Sequence, residues 1–266
     1  MNIIVCVKQV PDPDIPPDKF KIDPQAKQVI PPPGVSPVIS VFDERAVEAA
    51  CRLKDKHGAQ ITVLSMGPGK VTDVVKQAIS MGCDDGFVLQ DVSFEDTDSY
   101  GTAFLLSKAI QKIGQYDLIL CGRQAADWDQ GQVGSILAEI LGIPVITLAR
   151  DIEVTDGKLR VERVLKDGYE VVEAPMPSVV TVSSELGLPR LSSGMGIITA
   201  ARKNIPVWTG QDIGADLSQA EPDGPYNEIT TFIIPVREAH CEIMAGETTA
   251  EAAANMAIKL KELKLL

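Results

Sequence analysis

Histidine is nearly absent from this chain: His57 and His240 are the two in 266 residues. They stand far apart, so a histidine-built metal centre is not expected. His57, beside Gly58, is expected to serve a helix C-terminus. Cysteine is sparse and dispersed, at Cys6, Cys51, Cys83, Cys121 and Cys241. With no Cys-x-x-Cys pair, neither a zinc site nor a disulfide frame is expected. Basic side chains are outnumbered, 25 against 37 acidic ones, for a net charge of −12. Proteins that grip nucleic acid neutralise its phosphates with Lys and Arg, so no nucleic-acid partner is expected. No uncharged apolar run is as long as a membrane span. The opening Met-Asn-Ile-Ile-Val-Cys-Val-Lys lacks the charged start, long apolar core and cleavage site of a signal peptide, and reads as a first strand. No membrane insertion and a cytoplasmic location are the expectations.

Several motifs of known chemistry are missing as well. No Gly-x-Gly-x-x-Gly follows the first strand, and no Gly-x-Ser-x-Gly elbow occurs. The stretch Ser65 to Lys70 has two glycines and a lysine, but not the spacing of a phosphate loop. No side chain stands out as an acid, base or nucleophile, so no catalytic residue is assigned. Any redox chemistry must then come from a bound cofactor.

What the chain does have is regular alternation. Strands are expected at Ile3 to Val7, Ile61 to Leu64, Phe87 to Leu89 and from Leu118 to Cys121. Helices are expected at Asp43 to Lys56 and around Val71 to Ile79, Ala103 to Ile113 and Val133 to Leu141, with apolar residues at helical spacing and Gly58, Gly82 and Gly142 as stops. This pattern predicts an α/β fold, an open, mainly parallel, doubly wound Rossmann-like sheet. Residues 11 to 37 hold nine of the 18 prolines and form an excursion, in which Lys21 to Asp23 and Gln28 to Ile30 can pair as a β-hairpin. Residues 150 to 182 alternate like strands around Asp156-Gly157 and Asp167-Gly168. The nucleotide-binding domain is expected to span 1–202. Residues 203–266 are expected to be a C-terminal arm, irregular over 203 to 247 with Pro206, Pro222, Pro225 and Pro235, then an amphipathic helix that packs on the core or a partner subunit. Thr248 and Glu251 fit a capping box for that helix, and Ala253, Met256, Ala257, Leu260 and Leu263 give it an apolar face.

Residues 118 to 134 carry the strongest functional signal. A buried strand stops at Gly122, a polar loop with Arg123, Gln124, Asp127, Asp129 and Gln132 follows, and a helix begins at Val133. Ligands of open α/β sheets sit outside such strand ends, and a helix N-terminus attracts phosphate. Arg123 and Gln124 suit phosphate or a base edge, and an Asp suits ribose hydroxyls. Two Asp beside a bare triphosphate would repel it, which favours a ligand held by its adenosine part and one or two phosphates. The competing reading makes Asp127 and Asp129 simple helix caps. Lys8 and Gln9 end the first strand and share the crevice if strands one and 118 are neighbours. Ser40 to Glu44 supplies another helix start, itself fitting a capping box, and Asp96 to Ser99 a third. An ATP-using enzyme or a stand-alone adenine-nucleotide sensor is the weaker alternative.

The chain resembles the beta subunit of electron-transfer flavoproteins. The resemblance rests on Val5-Cys6-Val7-Lys8-Gln9-Val10-Pro11-Asp12, the Glu44 to Lys54 helix, Ser65-Met66-Gly67-Pro68, Gly122-Arg123-Gln124-Ala125-Ala126-Asp127 with Gln132-Val133-Gly134, and Leu188-Pro189-Arg190. It implies a heterodimer with an alpha subunit that carries FAD, working with a flavoprotein dehydrogenase. It also implies a nucleotide in the crevice: AMP in simple carriers, or a second FAD that exchanges a hydride with NAD(H) in electron-bifurcating relatives. The Lys8 to Asp12 opening, the Cys121 to Gln124 form of the loop and the Asp98 to Thr102 stretch are more similar to the bifurcating group, so FAD is the expected cofactor, with AMP the alternative. Carried over by position, Cys6, Lys8, Ser40, Phe42, Asp43, Met66, Gly122, Arg123, Gln124, Asp127, Gln132, Val133 and Gly134 would line the cofactor pocket. Leu188, Arg190, Leu191 and Met195 would form the segment that grips the dehydrogenase. Simple carriers have an apolar anchor near Gly194, so glycine there implies a dedicated partner. Trp128 is bulkier than the small or acidic residue expected beside Asp127.

Overall fold

The computed structural model describes the chain except residues 17–18, 26, 31, 95–96, 221–232 and 235–240. Asp96, Pro222, Pro225, Pro235 and His240 therefore lie outside the described residues. In chain order the elements are β1 (Asn2–Val7), β2 (Gln9–Val10), β3 (Lys21–Asp23), β4 (Gln28–Ile30), β5 (Val38–Ile39), α1 (Val41–His57), β6 (Gln60–Met66), α2 (Val71–Met81), β7 (Asp85–Leu89), α3 (Ser99–Ile113), β8 (Leu118–Gly122), α4 (Val133–Leu141), β9 (Val145–Thr155), β10 (Lys158–Leu165), β11 (Gly168–Pro175), β12 (Ser178–Val182), α5 (Gly194–Arg202), β13 (Val207–Trp208), α6 (Leu217–Ala220) and α7 (Thr249–Glu262).

Nine strands form one sheet in the order β11-β10-β9-β12-β8-β1-β6-β7-β13. The pairs among β9, β12, β8, β1, β6, β7 and β13 are parallel; β10 pairs antiparallel with both β9 and β11. The α/β fold with a mainly parallel sheet is thus as expected; Asp156-Gly157 makes the first turn of the antiparallel extension, and Lys166-Asp167 the second, one residue earlier than expected, because Gly168 already pairs with Leu165 as the first residue of β11. The excursion contains the small β3–β4 pair. β13 lies past residue 202 and pairs with β7, so the sheet continues beyond the boundary expected there.

The central strands are buried on both faces, as parallel strands covered by helices must be. Ile3, Val5 and Val7 of β1 face α1 and α2, packing with Ala46, Val47, Ala50, Val74 and Val75. Ile4 and Cys6 face the other way, toward Phe104 and Leu105 of α3 and Leu137 and Ala138 of α4. Gly58 and Gly142 adopt left-handed conformations, with φ of 65° and 66°, and end α1 and α4.

The chain leaves β1 by α1 to reach β6 on one side, and later enters β8 on the other side of β1. The strand order reverses between β1 and β8. A crevice opens at the carboxyl ends of two parallel strands at such a reversal. Ile3 pairs with Leu118 and Val5 with Leu120, which brings Lys8 and Gly122 to the same edge.

The described chain divides into two compact units, one of Met1–Lys21 and Val29–Thr230, the other of Ile22–Gln28 and Thr231–Leu266. In the second, Thr248 caps α7 by accepting the Glu251 N–H at 3.2 Å. The Glu251 carboxylate reaches one residue further back than a capping box requires and accepts from the Glu247 N–H at 2.9 Å. No residue of α7 is buried; Met256 and Leu263, on its expected apolar face, are more than half exposed. No helix among the described residues is long and apolar enough to cross a membrane.

Candidate functional site

Asp43 ties the crevice together. It sits in the first turn of α1, 7% exposed. One carboxylate oxygen accepts the Gly122 N–H at the end of β8 at 3.0 Å, and the other accepts the Lys8 N–H just beyond β1 at 2.8 Å. Burial pushes the carboxyl pKa up to about 7, against the pull of these two backbone hydrogen bonds and the charge of Lys8. Ser40, at the start of α1, is fully buried and does not cap its helix. Its hydroxyl instead accepts the Ala126 N–H at 3.2 Å. The capping box expected from Ser40 to Glu44 is therefore replaced by bonds across the site. The reason is proximity: the 122–132 loop presents unpaired N–H groups to both side chains, and an unpaired buried N–H is costly.

The loop is organised by its own side chains. Lys8 reaches across from β1 and pairs with Asp127, Nζ to Oδ2 at 2.8 Å. Arg123 donates from Nε to Gln124 at 3.0 Å, and Gln124 donates to Asp129 at 2.7 Å. The Arg123 guanidinium lies 5.2 Å from the centre of the Phe42 ring, within cation–π range. Asp129 holds a left-handed backbone at φ 53°.

Asp127 and Asp129 do not cap α4. Asp127 is spent on Lys8 and the Trp128 N–H, Asp129 on Gln124. Gln132 occupies the N-cap position with no side-chain bond to the helix. The N–H groups of the first turn are thus without a side-chain cap. A helix start in that state favours an anion. Val133 and Gly134 form this first turn. A Cβ on Gly134 would come within 2.6 Å of Thr181 on β12, so glycine is what allows α4 to start against the sheet.

The structure therefore brings Lys8, Ser40, Phe42, Asp43, Gly122, Arg123, Gln124, Asp127, Gln132, Val133 and Gly134 to one sheet edge. Two sequence-derived residues sit deeper. Cys6 is buried with its thiol against Cys121, whose own pKa is raised well above the usual value by that hydrogen bond and by burial. Met66 ends β6, on the far side of β1, half-buried against the α3–α4 face.

Two contributions escape sequence reading. β12 lies beside β8, and its Val182 carbonyl accepts the Arg123 N–H at 2.9 Å. The positive charge of Arg123 also helps to lower the pKa of Glu185, just past β12, where the Ser183 hydroxyl bond is the larger cause. Ser99, at the start of α3, hydrogen-bonds Gln130 of the loop. The Asp96 to Ser99 junction marks a helix start in the sequence, but nothing there signals a partner 31 residues on.

Past β12, the 187–196 segment leaves the sheet and lies against α1 and α2. Leu188, Leu191 and Met195 are 83%, 91% and 72% exposed. Arg190 does not share that exposure; its side chain folds back onto α1. Gly194 has open space around it.

Comparison with known proteins agrees with this geometry. The electron transfer flavoprotein domain matches residues 34–212. Among similar proteins, the electron transfer flavoprotein subunit beta of Thermoanaerobacterium thermosaccharolyticum is 40% identical over 261 residues, covering 98% of each chain. The caffeyl-CoA reductase-Etf complex subunit CarD of Acetobacterium woodii is 36% identical over 263 residues, again covering 98% of each. The subunit beta of Clostridium acetobutylicum is 37% identical over 262 residues. A crevice at the β1–β8 reversal, a family match over most of the chain and full-length relatives place the chain in one group: it belongs to the electron-transfer flavoprotein family, among the beta subunits.

Proposed function

We propose that this chain binds FAD in the β1–β8 crevice and passes electrons between NAD(H), the FAD of an alpha subunit and a flavoprotein dehydrogenase. The observation that carries the reading is that one loop begins at Arg123, whose guanidinium lies by the Phe42 ring, and ends at the uncapped N-terminus of α4. These are two separate positive elements. Together they suit the two phosphates of FAD. The Acetobacterium relative is named as a subunit of a caffeyl-CoA reductase-Etf complex, which supports a reductase-type partner.

The residues fit such a group. The first turn of α4 offers N–H donors to phosphate, and Lys8 and Asp127, paired at 2.8 Å, stand where ribose and phosphate oxygens can exchange hydrogen bonds with them. Phe42 and Arg123 present a ring face and a planar cation beside the loop. A bound flavin supplies the electron chemistry; the chain binds it, orients it and limits water around it. Asp43 and Ser40 hold the loop backbone and leave the outward side chains to the ligand.

Partner choice follows from the second surface. Leu188, Leu191 and Met195 are apolar and exposed, as docking residues are, and we assign them to the dehydrogenase. The exposed apolar side of α7 suits the alpha subunit.

The test is an anaerobic titration of the purified heterodimer with NADH, followed by flavin absorbance. Bleaching that is abolished when this subunit carries Arg123→Ala is expected. A heterodimer whose flavin ignores NADH would overturn the reading.

A further inference from the structure

The docking segment is tied down at both ends. Arg190 donates to the Glu48 carboxylate from its backbone N–H at 3.0 Å and from Nε at 2.8 Å. Its Nη2 also donates to Asp55 at 2.9 Å. Arg52 donates to the same Glu48 from Nε at 2.9 Å, and from Nη1 to the Leu186 carbonyl at 3.1 Å. One carboxylate on α1 thus collects the start of the segment. At the far end, the Ser192 and Ser80 hydroxyls meet at 2.5 Å, and the Ser193 N–H donates to the Ser80 carbonyl at 3.3 Å. Gly196 packs so close that a Cβ there would lie 3.0 Å from the Ser80 carbonyl carbon. Leu188 stands between the Leu186 and Arg190 anchors and Leu191 between Arg190 and Ser192, and both are exposed.

Glu48 itself is 6% exposed. A carboxylate that deep costs free energy to bury, and an apolar residue of the same size is often no worse for stability. What the apolar residue cannot do is fix an arginine and its backbone in one place. Binding through a preformed surface avoids the entropy of ordering it on contact.

We infer that Glu48 is a positioning residue for docking: through Arg190 it holds the 187–196 segment in the conformation that presents Leu188 and Leu191 to the dehydrogenase. This rests on the assignment of those leucines to docking. Being buried, Glu48 cannot touch the partner, so any effect it has on docking must pass through the segment.

The experiment uses the purified heterodimer and a dehydrogenase shown first to exchange electrons with the wild type. Glu48→Ala, Glu48→Gln and Leu191→Ala are compared by the KM and kcat for the heterodimer, by cofactor content, and by backbone hydrogen exchange over 187–196. For Glu48→Ala, KM is expected to rise on the order of tenfold with kcat and cofactor content unchanged, and exchange across the segment to quicken. Glu48→Gln keeps one acceptor, so it should fall between wild type and alanine; if the alanine variant does not assemble, the glutamine variant carries the test with the same directions. Wild-type KM in the Glu48 variants, beside a raised KM in Leu191→Ala, would overturn the positioning role alone. Wild-type KM in Leu191→Ala would overturn the docking assignment, and the role of Glu48 with it.

Discussion

Asp43 and Gly122 are 79 residues apart in sequence and share a 3.0 Å hydrogen bond at the base of the crevice. The bond runs from the end of one central strand to the first turn of the helix that follows its neighbour. The same carboxylate holds Lys8, so one buried acid fixes both strand ends. A side chain at Gly122 cannot be accommodated: a Cβ would come within 2.8 Å of the Phe42 carbonyl carbon and 2.9 Å of the Asp43 nitrogen. Gly122→Ala should lower stability by about 1–3 kcal/mol through backbone displacement, with loss of bound nucleotide. Urea unfolding and cofactor release measure the two effects.

Asp43 should also make stability depend on pH. Its folded pKa of about 7 lies above the ordinary 3.8. Between those values the folded chain holds a proton that the unfolded chain has released. The contribution is complete below 3.8 and is lost as pH rises through 7, a slope of up to ~1.4 kcal/mol per pH unit. Asp43→Asn should remove this slope. It should also destabilise the fold, because an amide accepts one of the two N–H bonds and turns a donor toward the other. Chemical unfolding of both proteins from pH 5 to 8 checks both statements.

Glu48 should behave in the opposite sense. Burial would raise its pKa, but the hydrogen bonds from Arg190 and Arg52 outweigh burial and hold it below the ordinary 4.5. The stabilisation it provides is present above 4.5 and is lost as pH falls through the lowered value. Backbone exchange over 187–196, corrected for the intrinsic pH dependence, should therefore quicken on acidification before the central strands respond.

Arg123→Ala should loosen the nucleotide without unfolding the chain. The side chain is half-buried and bonds to Gln124 alone among the described residues with a distance below 3.5 Å. Loss of a charge-assisted contact to phosphate should weaken retention roughly tenfold or more. Dialysis against cofactor-free buffer, with thermal melting as the control, separates the two effects. Unchanged cofactor content would remove Arg123 from the site.

Much of this arrangement was legible in the sequence because it is local. The Leu118 to Cys121 run, the small-residue stop at Gly122 and the helical spacing from Val133 each follow from neighbouring residues. The adjacency of β1 and β8 was a condition that the sequence could state and not decide. Once the sheet order satisfies it, Lys8 and Asp127 meet although 119 residues separate them. Ser40 and Asp43 look like helix-capping residues because a cap is their commonest local use. Their actual partners, Ala126 and Gly122, come from another element, and no periodicity reports that. The same holds for Val182 beside Arg123 and for Glu48 beneath Arg190. Apolar patterning places elements in layers, whereas cross-element hydrogen bonds depend on the final packing.

A dinucleotide in the crevice sets the cofactor stoichiometry of the heterodimer. The heterodimer would be purified with its alpha partner, its cofactors released by heat, and FAD and AMP counted by chromatography. Two FAD and no AMP per heterodimer is the predicted result. One FAD with one AMP would contradict it, and would make this chain a structural and docking subunit instead.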